Sequence, residues 1–139
     1  MWSVEIAGES TASPDALYAR WADVGTWSEW NDDVARIEMT DAFAPGARAQ
    51  MVFGDGSSLP FEITWVEPGR GYEDLTEIPD AGVAVRVRHT AEPDGDRTRI
   101  TYRCEVTGAD DDTCAAVGAG VSEDFGAVID GLARIVEGR

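Results

Sequence analysis

The chain has 139 residues, 43% of them apolar, with 27 acidic against 11 basic side chains and a formal charge of −16. That length and apolar share suit one folded domain over residues 1–139 and exclude a disordered polymer. A field of that sign repels phosphate backbones and anionic bilayers, so neither nucleic-acid binding nor stable membrane insertion is expected.

Trp2, Val4 and Ile6 alternate with Ser3 and Glu5, which predicts a strand with one buried face. No positive segment or long apolar run occurs in "MWSVEIAGES", so no signal peptide is expected and the default location is cytoplasmic. In "STASPDALYARWADV", Ser13 suits an N-cap, Pro14 the first helical position and Asp15 the helix N-terminus. Leu17, Trp21 and Val24 then recur at helical spacing until Gly25. Thr26 can cap a second short helix through about Val34, with Trp27, Trp30 and Val34 on one side.

From Ile37 the period becomes two, and six strands are predicted between there and Val106. "FAPGA", "GDGSS", "EPGRG", "PDAG" and "EPDGDR" separate them as turns, which points to an antiparallel meander. Phe61, Ile63 and Trp65 share one parity, as do Val83, Val85, Val87 and His89, and again Ile100, Tyr102, Cys104 and Val106. Arg86, Arg88, Arg99 and Arg103 take the opposite parity and predict a charge-paired outer face with Glu62, Glu73 or Glu105. Last, Asp110 to Asp112 open a long helix whose stripe is Val117, Val121, Phe125, Val128, Leu132 and Ile135. Only that helix is long enough to cover the apolar face of the sheet.

The predicted class is therefore α+β: a curved antiparallel sheet of about seven strands wrapped around a long C-terminal helix, with two short helices between strands 1 and 2. This order resembles the helix-grip fold of the START-like, or SRPBCC, superfamily, and within it the polyketide cyclase/dehydrase and lipid-transport proteins. The stretches that carry the likeness are "SPDALYARWADVGTWSEWND" (13–32), with its V-x-x-W-x-x-W spacing, the hairpin "EPDGDRTRITYRCEV" (92–106) and the closing amphipathic helix. The resemblance implies a cavity between sheet and helix, with Trp27 and Trp30 flanking it. Whether those two indoles pack the helices or also touch a ligand stays open at this level.

The candidate ligand contacts are Trp27, Trp30, Phe53, Phe61, Ile63, Trp65, Val85, Val87, His89, Tyr102, Val117, Val121 and Phe125. The small residues of 115–120 would keep the helix from filling the gap. His89, the sole histidine, and Tyr102 are the candidate proton-handling groups. Cys104 and Cys114, with nine residues between them, match no zinc pattern, and no metal or cofactor is expected. Glu73 and Asp74 are neighbours on a strand and should face opposite ways. The leading expectation is binding of a small hydrophobic molecule that is lipid-like, aromatic or polyketide-like. The alternatives are a cyclase or dehydratase using His89 and Tyr102, and a protein-interaction module with an incidental cavity. The acidic surface either solubilises the protein or recruits a cationic partner, and both a monomer and a homodimer are open.

Overall fold

The computed structural model describes residues 1–138. Seven strands form one curved antiparallel sheet: β1 (Trp2–Ser10), β2 (Val34–Glu38), β3 (Arg48–Phe53), β4 (Ser58–Glu67), β5 (Gly71–Ile78), β6 (Val83–Asp94) and β7 (Arg97–Thr107). Their spatial order is β1-β7-β6-β5-β4-β3-β2, so every neighbour after β2 is a hairpin partner and only β1 joins from across the chain. Between β1 and β2 lie helix α1 (Pro14–Ala22) and a short 3-10 helix (Val24–Glu29). A long C-terminal helical arm follows β7, in the two segments α2 (Asp111–Ser122) and α3 (Phe125–Glu137). Among the described residues, no helix is long and apolar enough to cross a membrane.

Local chemistry accounts for the element ends. The Ser13 hydroxyl accepts the Ala16 N–H at 3.1 Å, and Pro14 occupies the position where an N–H would be unsatisfied anyway. α1 stops at Ala22, earlier than the spacing predicts, and the chain tightens into the 3-10 helix. Val34 belongs to β2, not to a second helix. Asp110 caps α2 by accepting from the Thr113 N–H at 2.7 Å. The C-terminal stripe is broken after Ser122, whose hydroxyl bonds back to the Gly118 carbonyl at 2.8 Å. Such back-bonding bends helices, and the arm turns at Glu123–Asp124 before α3 begins.

The arm packs closely on the sheet where glycine allows it. A Cβ at Gly118 would run into the Trp2 ring, so α2 rests on β1 there and Gly118 does not face the cavity. On α3, a Cβ at Gly131 would stand 2.7 Å from the Trp30 carbonyl oxygen. Since that neighbour is backbone, it has no rotamer with which to yield. Gly131→Ala is expected to cost about 1–3 kcal/mol by overpacking, read by urea denaturation. A neutral or stabilising result would mean that α3 does not approach the Trp30 backbone this closely.

The outer sheet face carries the predicted charge pairing at Arg86, Arg88 and Arg103, while exposed Arg99 makes no ion pair among the described residues. Glu73 accepts from Arg86 and Arg88, each at 2.8 Å, and from the Thr64 hydroxyl at 2.9 Å. Arg103 pairs with Glu105 at 3.0 Å and Arg48 with Glu62 at 3.3 Å. Burial acts to raise the Glu73 carboxyl, but the hydrogen bonds from Arg86, Arg88 and Thr64 outweigh it and hold it below its ordinary value.

Candidate functional site: a carboxyl-bearing cavity under the helical arm

Sheet and arm do not close on each other completely. They leave a cavity of about 510 Å³, walled by β2 to β7, by the 3-10 helix and the loop after it, and by the α2–α3 junction. Trp27, Trp30, Phe53, Val85, Val87, His89, Tyr102, Val121 and Phe125 line it, each named from the sequence as a ligand contact. Trp27 and Trp30 are also packing residues. Trp27 is buried, donates its indole N–H to the Trp21 carbonyl at 2.9 Å and stacks on Phe61 at 5.8 Å.

Four of the expected contacts lie elsewhere. Phe61 and Ile63 are core residues behind the wall, and Val117 packs against the core without reaching the cavity. Trp65 faces outward. The β4–β5 register slips between Ile63 and Trp65, so Ile63 pairs with Asp74 while Trp65 pairs with Glu73. One inserted residue reverses every side chain after it. The Trp65 ring consequently lies under the Arg88 guanidinium at 4.2 Å, on the charged face.

Sequence reasoning missed the β5 row. Tyr72, Asp74, Thr76 and Ile78 all face the cavity, opposite His89, Val87, Val85 and Val83 of β6. Three of those four side chains are polar, so no apolar alternation marks the strand. The signal available was the short "PDAG" turn, which sets the register of β5 on the clearly apolar β6.

The polar groups in the cavity differ in how fully they are engaged. His89 stacks on Tyr72 with ring centroids 4.0 Å apart. Its Nδ1 lies 3.3 Å from the Tyr72 carbonyl oxygen, which can only accept, so Nδ1 carries the hydrogen. Nε2 is then left to accept from the Tyr72 hydroxyl, also at 3.3 Å. Burial pushes the imidazole from 6.5 down to about 3, against the opposing pull of that carbonyl and of Glu73. His89 is thus a neutral, spoken-for ring at physiological pH. The Tyr102 hydroxyl accepts from the Trp21 indole N–H at 3.3 Å, and burial raises it above its ordinary value.

Asp74 is the exception. Among the described residues it has no hydrogen bond or ion-pair partner. Burial first, and the charge of Glu73 second, raise its carboxyl from 3.8 to about 7. At the exposed rim Asp33, Glu123 and Asp124 contribute three more carboxyls. Partial burial, and then the facing Asp33 carboxyl, raise Asp124 to about 6. Among the described residues, no arginine lines the cavity. On the same wall the Trp30 indole N–H is buried without a hydrogen-bond partner.

This architecture is the helix-grip fold, and the comparisons agree. The chain matches the family described as "Polyketide cyclase / dehydrase and lipid transport" over residues 1–137 and belongs to it. Solved structures of similar shape include protein MLL2253 from Mesorhizobium loti, at 17% identity with a TM-score of 0.79, covering 98% of this chain and 97% of that one. Norcoclaurine synthase from Thalictrum flavum, in complex with dopamine and hydroxybenzaldehyde, is 14% identical with a TM-score of 0.78, covering 99% and 87%. The Aha1 dimer from Colwellia psychrerythraea is 14% identical with a TM-score of 0.74, covering 99% and 97%. At these identities the likeness is one of fold. No curated protein matches the chain in sequence.

Proposed function

We propose that this protein binds a small, largely apolar organic molecule in the cavity beneath the helical arm. The observation that carries the reading is the cavity itself. At about 510 Å³ it lies within the range of small-molecule sites, and its walls are aromatic and aliphatic with a few placed polar groups. The family description, which joins cyclases, dehydrases and lipid transport, supports a ligand-binding use of this fold without choosing the ligand.

A neutral apolar fluorophore tests it. N-phenyl-1-naphthylamine should gain emission on titration with the protein and saturate at one equivalent. Gly120 lines the cavity and is exposed, and a Cβ there meets nothing within 4 Å. Gly120→Trp should therefore block entry while leaving the far-ultraviolet circular dichroism unchanged. Equal binding by that variant, or none by the parent protein, would overturn the reading.

A catalytic use of the same cavity changes its candidate residues. His89 has both ring nitrogens engaged and is neutral, which removes it as a proton donor near pH 7. A carboxyl held at about 7, as Asp74 is, has the acidity a general acid–base needs. Any turnover in this chain would run through Asp74, with Tyr102 orienting the substrate.

A further inference from the structure

We propose that the cavity selects ligands carrying a positively charged amine on an aromatic or apolar body, with the Asp74 carboxylate as the counter-ion. This rests on the ligand-binding reading above and adds the charge of the ligand to it.

Three observations converge. First, four carboxyls line the cavity, at Asp33, Asp74, Glu123 and Asp124, and among the described residues no arginine does. His89, the one basic side chain on the wall among the described residues, is neutral. The potential inside is therefore of one sign, and low-dielectric walls concentrate it. Second, Glu73, the buried carboxylate of the same strand, is satisfied by two arginines and a threonine on the outer face. Asp74, its neighbour, points the other way and has no hydrogen-bond or ion-pair partner among the described residues. A buried carboxyl without a partner costs stability, and such a group in a cleft is a mark of function. Third, the aromatic side chains of Trp27, Trp30, Tyr72 and Tyr102 line the same space, and aromatic rings attract organic cations. The unpartnered Trp30 indole N–H adds a donor for a hydroxyl or carbonyl oxygen on the same guest. Among the described residues, no group of three or more His, Cys, Asp or Glu side chains is gathered closely enough to hold a metal ion, which favours an organic cation over an inorganic one.

Three isosteric probes decide the matter: 2-(1-naphthyl)ethylamine, 2-(1-naphthyl)ethanol and 1-naphthylacetate, which are cationic, neutral and anionic at pH 8. Their affinities are measured by calorimetry on the intact protein. The amine is expected to bind about tenfold or more tighter than the alcohol, as a charge-assisted hydrogen bond in a shielded site allows, and the acetate more weakly than both. In Asp74→Asn the amine-to-alcohol ratio should fall to within about threefold. In the rim variant Asp33→Asn/Asp124→Asn it should fall less. Binding of the alcohol equal to or tighter than that of the amine, or an amine-to-alcohol ratio unchanged in Asp74→Asn, overturns the charge preference and leaves the cavity reading standing. Failure of all three probes, together with the neutral fluorophore, overturns both.

Discussion

Asp74→Asn is expected to stabilise the protein at pH 8 and to leave its stability unchanged at pH 4. The carboxyl titrates at about 7 in the fold against an ordinary value of 3.8. Between those values the folded chain holds a proton that the unfolded chain has released. Stability from this group therefore falls as pH rises through the window, and the whole penalty is present above about pH 7. Asn keeps the shape, cannot ionise and carries no such penalty. With allowance for water reaching the group through the cavity, the gain at pH 8 is on the order of 2–3 kcal/mol, read as the shift in urea midpoint. No gain at pH 8, or an equal gain at both pH values, would mean that Asp74 is not an unpaired buried carboxyl.

The parent protein has a compensating slope. His89 is held at about 3 in the fold against 6.5 outside it, so across that span the unfolded chain binds the extra proton. Its contribution to stability is lost as pH falls below about 6.5. From about pH 4 to 6.5 the two buried groups act in opposite directions, and Asp124, raised to about 6, adds to the Asp74 side. Removing Asp74 exposes the histidine slope, so the variant should lose stability on acidification more steeply than the parent. A side chain that costs this much and that Asn would relieve is retained against stability, the usual condition of a residue kept for binding or chemistry.

Much of this was legible in the chain, and what was not has identifiable causes. Turns show because they need particular residues. "GDGSS" and "EPDGDR" place glycines at Gly56 and Gly95, where φ is +89° and +65°. β6 and β7 show because each buries one face and alternates cleanly. Trp65 did not follow its alternation because the register slip just before it costs only one backbone position and leaves no composition signal. Asp74 was hidden for a different reason. A cavity wall needs polar residues at inward positions, so a binding site erases the very pattern by which inward positions are read. The break in the helical arm lay in Ser122 and the glycines before it, residues that periodicity alone counts as tolerable.

Trp21→Ala carries the largest expected loss. Trp21 is fully buried on α1, where it reaches into the sheet beside the cavity wall. Its ring meets Tyr72 at 5.8 Å, His89 at 6.3 Å and Tyr102 at 6.4 Å, all edge-on or tilted. Its indole N–H donates to the Tyr102 hydroxyl, and its backbone carbonyl accepts from the Trp27 indole N–H. One side chain therefore ties α1 to β5, β6 and β7, while its backbone anchors the 3-10 helix. Truncation removes that contact area and opens a hole that the rigid strands around it cannot collapse into. The cost is about 3–5 kcal/mol, a large share of the roughly 5–15 kcal/mol typical of such a domain. Thermal unfolding followed by circular dichroism should fall by on the order of 10 °C or more. Trp21→Phe separates the two contributions. It keeps most of the ring and drops the N–H, so its loss should be about 1–2 kcal/mol. If Trp21→Ala costs less than about 1 kcal/mol, α1 does not pin the cavity wall, and the arrangement of Tyr72, His89 and Tyr102 around it needs another explanation.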